Sequence, residues 1–580
     1  MKKQFLLCII TFGLLAFTTN EKRPVHIFVE AGAGKAASLF IEDIERQKIN
    51  DTTSLLKKNI QPYVSQVWAP DLGNGNYKNP ILYADYSDPD VCRVGDDYYM
   101  TASSFNCIPG LPILHSNDLV NWTIIGAAIP KLIPEDIFSR PQHGNGVWAP
   151  AIRYYSGEFY IFYGDPDYGI YMTKTKNPAG EWEPLTMVKH GKGLIDACPF
   201  WDEDGQAYLV HAYAGSRAGI KSLLAITRLT PDGKKAVGAS KIVYDGHDID
   251  ETVEGAKLYK HNDYYYIMAP AGGVSTGWQI ALRSKNIFGP YERKKVLAQG
   301  KTSINGPHQG AWVDTKTGED WFIHFQDCGA FGRVVHLQPM QWKNDWPVIG
   351  EDKDGDGCGD PVMTHKKPNT GKTFPVAAPV ESDEFSTSYL GLQWQWHANP
   401  ADWWYFADAA KGVLNLYSVP VPENYQNLWD IPNLLLQKFP SNNFTATAKI
   451  TFTPSSGIKG ERTGLVVMGM NYALLSLENT DKGLILSQNE CLQADKGGVE
   501  KPDSSVNLNG NTVYLRVKVQ PNADCTFSYS MDGEKFQTLG KTFTAKEGKW
   551  IGAKVGMFCT RPVQNNDGGR VEIDWFRIRR

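Results

Sequence analysis

Along the first two thirds of the chain, a short polar turn followed by an alternating aromatic strand recurs five times: GDDYYMTAS, SGEFYIFYG, EDGQAYLVH, HNDYYYIMA and TGEDWFIHF. Aligned, these segments place Tyr99, Tyr160, Tyr208, Tyr265 and Trp321 in one column, with gaps of 61, 48, 57 and 56 residues. A β-like stretch precedes each across a turn: DPDVCRV, WAPAIRYY, DACPFWD, EGAKLYK and HQGAWVD. Strands of about 5–6 residues with their turns fill such a period four to a unit, which predicts one antiparallel blade per repeat and a five-bladed β-propeller over residues 63–364. An all-β domain of ordinary tyrosine-rich hairpins is the alternative. From residue 381 to 580 the pattern changes to longer alternating strands such as ATAKITFTP, TGLVVMGMNYALLSL and GRVEIDWFRIRR, separated by Gly, Asn and Asp turns, which predicts a β-sandwich. The proline-rich stretch at residues 365–380 reads as a linker between the two.

The N-terminus has the order charge, apolar core, polar boundary: Met1-Lys2-Lys3, the run Phe5 to Phe17, then TTNEK. Residues 1–20 are therefore expected to be a signal peptide, and the protein secreted or periplasmic. That run is too short to span a bilayer, so no membrane insertion is expected. Residues 21–62 have no assigned role; Val29 to Asn59 looks partly helical. Its AGAGKAA segment lacks the first glycine and the Ser/Thr of a phosphate loop and is read as a loop before a helix.

Composition narrows the partners. With Lys+Arg 59 against Asp+Glu 63, the net charge of −4 offers no basic field for nucleic acid. Aromatic residues at 12% suit packed β domains or sugar stacking. Past the signal run the eight cysteines include no CxxC pair, so scattered thiols or a few disulfides both remain open and no metal is assigned to a cysteine site.

The repeat register carries the candidate chemistry. Asp88 lies 11 residues before its column aromatic, Asp196 lies 12 before and Glu254 lies 11 before; Ala149 and Gln309 hold the matching places in the other two units. Equivalent positions at the start of the innermost strands converge at one end of a propeller axis, so three acids should share one pocket. Alone, each reads as a turn starter or a solvated group. Together they repel and resist desolvation, which calls for a cation, an arginine or a reaction. Glycoside hydrolysis needs such a set: one carboxyl kept protonated for the leaving oxygen and one ionised to activate water or attack carbon. Arg333 is the candidate cation at the sugar, with an ordinary salt bridge as the alternative; His308 is a pocket group, an ion ligand or a core histidine; Phe105 and Trp148 stack on a sugar ring or pack between blades.

The ordered motifs KNPILYADYSDPDVCRVGDDYYMTASSF, SNDLVNW, GVWAPAI, LIDACPFWDEDG, TVEGAKLYK and GPHQGAWVD resemble glycoside hydrolase family 43, the β-xylosidase and α-L-arabinofuranosidase family. The resemblance spans about Tyr63 to Thr364. It implies a five-bladed propeller, an inverting reaction without a required cofactor, Asp88 as general base, Asp196 as the residue that tunes and orients the acid, and Glu254 as general acid. Where family members often carry Ser after the DP pair, this chain has Asp90, an added nearby charge. The C-terminal segment resembles the lectin-like (concanavalin-like, jelly-roll) sandwich found behind such propellers; its WQWHANPADWWYF cluster could bind sugar or fill the core, and a loop of this domain could complete the active-site wall. The expected activity is exo-acting release of terminal arabinofuranose or xylose from plant polysaccharide or oligosaccharide. A non-catalytic carbohydrate-binding propeller and an interaction scaffold are the competing readings. DGDGCGDP, with Asp352, Asp354, Asp356 and Gly357 spaced as in a calcium loop but Met363 at position twelve, is expected to be a turn-rich connector, with a structural Ca2+ as the alternative.

Overall fold

Each aromatic strand of the repeat pairs with the stretch before it, and each unit closes into a four-stranded antiparallel sheet. The computed structural model describes residues 62–580. The signal-like run, the helix expected before Asn59 and the AGAGKAA segment lie outside the described residues. Blade I consists of Asp90–Val94, Asp97–Thr101, Gly110–Ser116 and Thr123–Ile129. Blades II to V begin with Trp148–Tyr155, Leu194–Trp201, Lys257–His261 and His308–Asp314, each followed in order by three further strands. No helix among the described residues is long and apolar enough to cross a membrane.

The propeller core is a set of layers between blades. Val91, Met100 and Leu114 of blade I interleave with Ala311, Ile323 and Val335 of blade V, and Val210 and Leu224 of blade III pack on Leu258 and Ile267 of blade IV. Each of the Val, Leu, Ile and Met side chains among them, fully buried, contributes about 1.5–3 kcal/mol. The ring closes through the segment before blade I: Leu82 and Val335 exchange backbone hydrogen bonds, and the Asn79 side chain donates to Leu337 O and Val362 O while accepting from Leu337 N, all at 2.8 Å.

Residues 365–380 are not a free linker. Thr364–Lys366 pairs antiparallel with Asn76–Lys78, Lys367 Nζ reaches Asp71 and Asp118 at 2.5 and 2.8 Å, and Ala377 N donates to Asn121 Oδ1 at 3.1 Å. Proline removes backbone donors, but Asp71 ahead of blade I and Asp118 and Asn121 within it strap the segment down. The eight cysteines in the described residues are all free thiols.

The C-terminal domain is a sandwich of two eight-stranded sheets. Alternation sets its core: Phe444, Ala446, Ala448, Ile450 and Phe452 of one strand are buried, as are Val513, Leu515, Val517 and Val519 of its neighbour. Of the aromatic cluster, Trp394, Trp396 and Trp404 are in that core, whereas Trp403 is outside. The Asp352, Asp354 and Asp356 oxygens lie within 4.8 Å of one another, yet they already accept backbone N–H groups from Gly355, Gly357, Asp356 and Cys358, which orders the turn as a connector. With no acid at position twelve, the donors fit a cation shell only in part.

Candidate active site

The pocket is built where the inner strands depart from regular geometry. Asp88, Ala149, Asp196 and Gln309 all have positive φ, and in blade IV Gly255, the residue after Glu254, takes the same left-handed turn. In blades II, III and V the ladder skips at this point, between Trp148 and Ala151, Ile195 and Cys198, and His308 and Gly310. Such bulges turn a side chain along the strand axis instead of across the sheet. Gly255 has no alternative here: a Cβ would lie 2.3 Å from Gln309 Cγ and 2.8 Å from Pro270. The VEG motif thus places its acid by means of its glycine.

Asp88 is nearly enclosed. Its Oδ2 accepts from Ser87 Oγ at 2.8 Å and Ser103 Oγ at 2.6 Å, and Arg333 Nη1 lies 3.4 Å from Oδ1 while donating to Ser87 Oγ at 2.7 Å. Ser103 in turn accepts from Ala149 N at 2.7 Å, tying blade I to blade II. Asp196 Oδ2 accepts from Gly255 N at 2.6 Å. Burial lifts its carboxyl to about 6, opposed by that hydrogen bond and reinforced by Asp88. The Gln309 amide is near it without a well-aligned bond from Nε2. Glu254 is pushed further, to about 8, first by burial and then by the charges of Asp196 and Asp88. Protein surrounds this carboxyl, yet 33% of its side chain faces the pocket, so substrate can reach it.

The loop carrying Glu254 is anchored by Asp250, a fully buried acid that accepts from Arg293 Nε at 2.8 Å and Trp278 Nε1 at 2.9 Å, and also from Tyr244 Oη. Val253 N donates to Asp250 O and Glu254 N to Pro270 O, which fixes the acid's backbone on both sides.

The cavity, of about 120 Å3, is lined by the three acids with Phe105, Trp148, Gln309, Arg333 and Trp550. Phe105 and Trp148 meet edge to face at 6.3 Å, and Trp148 Nε1 donates to Gly144 O at 2.8 Å. Trp550 comes from the sandwich. Its ring meets Trp148 at 6.0 Å, and the Arg333 guanidinium lies 5.8 Å from its centroid and 4.9 Å from that of Phe325. The sandwich is held in place by backbone bonds in both directions between Ile108 and Trp396, by Asn399 bonded to both N and O of Leu132, and by Ala553 N donating to Ala330 O at 2.8 Å.

Of the residues singled out from the sequence, Asp88, Asp196, Glu254, Phe105, Trp148 and Arg333 line one cavity. His308 does not. It is fully buried, with Nε2 3.6 Å from Glu254 Oε1 behind the acid and no hydrogen bond to either ring nitrogen. Burial and Arg333 lower its pKa to about 3, so it is neutral. The bulge explains the displacement: it aims Gln309, not its neighbour, at the pocket. Asp90 adds no free charge, since it is buried and accepts from Arg153 Nη1 and Ile152 N, both at 2.6 Å. Gln309, Asp250 and Trp550 were not identified from the sequence; only Gln309, in the column of the acids, carried a signal that could have found it.

Carboxyls of unequal proton affinity around an aromatic-walled pocket are the equipment of glycoside hydrolysis, and the protein is a glycoside hydrolase. The family model "Glycosyl hydrolases family 43" matches residues 77–347, and "Beta xylosidase C-terminal Concanavalin A-like domain" matches residues 382–579. The chain is 39% identical over 521 residues to a putative beta-xylosidase of Xylanibacter ruminicola, covering 88% of this chain and 92% of that protein. It is 33% identical to a beta-xylosidase of Formosa agariphila over 87% of this chain and 90% of the relative, and 28% identical to a non-reducing end alpha-L-arabinofuranosidase of Bacteroides ovatus over 88% and 96%. A solved GH43 protein from Bacillus licheniformis superposes with a TM-score of 0.74 at 26% identity, covering 87% of this chain and 99% of that one. The chain belongs to glycosyl hydrolases family 43.

Proposed function

We propose that this enzyme is an exo-acting, inverting glycosidase that releases terminal β-D-xylose, and secondarily α-L-arabinofuranose, from plant cell-wall polysaccharides or oligosaccharides. The observation that carries the reading is the small pocket that three acids share with Trp550, a wall that a second domain supplies. A pocket walled on this side suits one terminal sugar better than a continuous chain. Relatives named both beta-xylosidase and alpha-L-arabinofuranosidase support the two sugars, and the order follows the names at higher identity. In this reading Glu254, protonated at neutral pH, delivers its proton to the leaving oxygen. Asp88, whose oxygens accept from two hydroxyls beside Arg333, takes a proton from the attacking water. Asp196 raises the proton affinity of Glu254 and, through Gly255 N, fixes the turn that presents it. The signal-like N-terminus supports export, by which the enzyme would reach polymeric substrate.

The test is a panel of aryl β-D-xylosides and α-L-arabinofuranosides scored by kcat/KM, with NMR of the first-formed anomer. Xyloside preference with inversion is expected. Retention of configuration, or rapid loss of viscosity of unsubstituted xylan, contradicts the reading.

A further inference from the structure

The aromatic segment at the start of the sandwich divides in two. Trp394, Trp396 and Trp404 enter the core, but Trp403 and Phe406 are 54% and 57% exposed, and Tyr417 of the adjacent strand is 38% exposed. These three flank an open concavity of about 420 Å3 that shares no lining residue with the catalytic pocket. Its rim carries Asp402, Asn566 and Asp567, and its floor is Ser418 with the backbone of Gly568 and Gly569. Arg561, 8% exposed, is held beneath by Ser418 O and Asn565 O, and its Nε has no partner.

Leaving three large rings in water gains nothing for folding; clustered around a concavity with a polar rim, they mark a binding surface. Its chemistry selects the occupant. Aromatic faces take the C–H faces of sugar rings, while carboxylates and an amide at the edge take hydroxyls. The acidic rim disfavours nucleic acid and acidic peptides, and a purely apolar partner would leave that rim unpaired. We propose that this patch is a second glycan-binding site that holds the xylan backbone while the catalytic pocket works on chain ends. The proposal rests on the substrate reading above.

The probe is insoluble β-1,4-xylan. Glu254→Gln protein, used so that turnover does not erode the polymer, should be depleted from solution by it. Adding Trp403→Ala and Phe406→Ala should raise the apparent Kd on the order of tenfold. The same two changes in active protein should leave kcat/KM for an aryl β-D-xyloside within about twofold, because the positions are exposed and outside the pocket. Should Trp403→Ala lower the melting temperature, Phe406→Ala alone decides the matter in the same way. Unchanged xylan depletion overturns the proposal. So does a loss of self-association on sedimentation with xylan binding intact, which would make the patch an interface between copies of the chain. Failure of the substrate reading shows separately, as absence of aryl-glycoside turnover by the unmodified protein.

Discussion

Replacing Asp196 with asparagine should move the alkaline limb of the pH–activity profile downward. The carboxyl of Asp196 titrates near 6 and that of Glu254 near 8, so Asp196 is ionised throughout the titration of the acid and its charge is fully felt. After burial, that charge is the largest cause of the elevation at Glu254. A like charge at close range lifts a carboxylic acid by roughly one to two units, so the limb should fall from about 8 to about 6–7. Burial and Asp88 remain, which keeps it above the ordinary glutamate value of about 4.3. Asparagine suits the site otherwise. It tolerates the φ of 59° at this position, and its carbonyl can still accept from Gly255 N. The assay is kcat/KM against pH with a poor leaving group, so that proton delivery limits the rate. Activity at neutral pH should drop by up to about tenfold, since with the limb at about 6–7 the acid is then largely ionised there. A limb that stays at 8 or rises would show that Asp196 does not act on Glu254 through its charge.

Three further outcomes are expected. Glu254→Gln should lose about 10²–10⁴-fold on a poor leaving group and recover most of it on a 2,4-dinitrophenyl glycoside, whereas Asp88→Asn should recover little, since water activation is still missing; kcat/KM across a leaving-group series measures both. Trp550→Ala should raise KM by on the order of tenfold, with less effect on kcat, because the ring lines the pocket without a proton to exchange; steady-state kinetics on a xyloside measures this. Asp90→Ala should destabilise the fold by about 3–5 kcal/mol in chemical denaturation, because it leaves the Arg153 guanidinium, 15% exposed, without its carboxylate.

How much could be read in advance follows from what repeats. The five blades were legible because the same turn and aromatic strand recur, and a column shared by five units outweighs the ambiguity of any one hairpin. The acids were legible for the same reason, since register in the repeat becomes proximity around the axis. His308 faces away from the pocket because adjacent residues on a strand point oppositely and the register of the acids falls on Gln309, its neighbour. The strap over residues 365–380 was read as a linker because its partners, Asp71, Asp118 and Asn121, are some 250 to 300 residues away in sequence. Trp550 had no local signal, since nothing in EGKWIG points to a different domain.

The division of labour in the site mirrors that difference in legibility. A left-handed backbone at a residue other than glycine costs on the order of 1–3 kcal/mol, and such a turn survives only where the surroundings over-determine it. At Asp88, Ala149, Asp196 and Gln309 the flanking ladders do so, and the same device recurs around the ring. Trp550 has φ of 67°, outside any regular strand, and is held between the Ile551 packing against Phe105 and Cys107 on one side and the Gly552 backbone against Gly332 on the other. A Cβ at Gly552 would approach Gly332 N to 2.7 Å, so the loop seats against the propeller backbone only with glycine at 552. The acids are therefore placed by what the blades have in common, and the shape of the pocket by what only one loop of the sandwich provides. Changes in that loop can alter which sugar fits while leaving the proton chemistry of the three carboxyls intact.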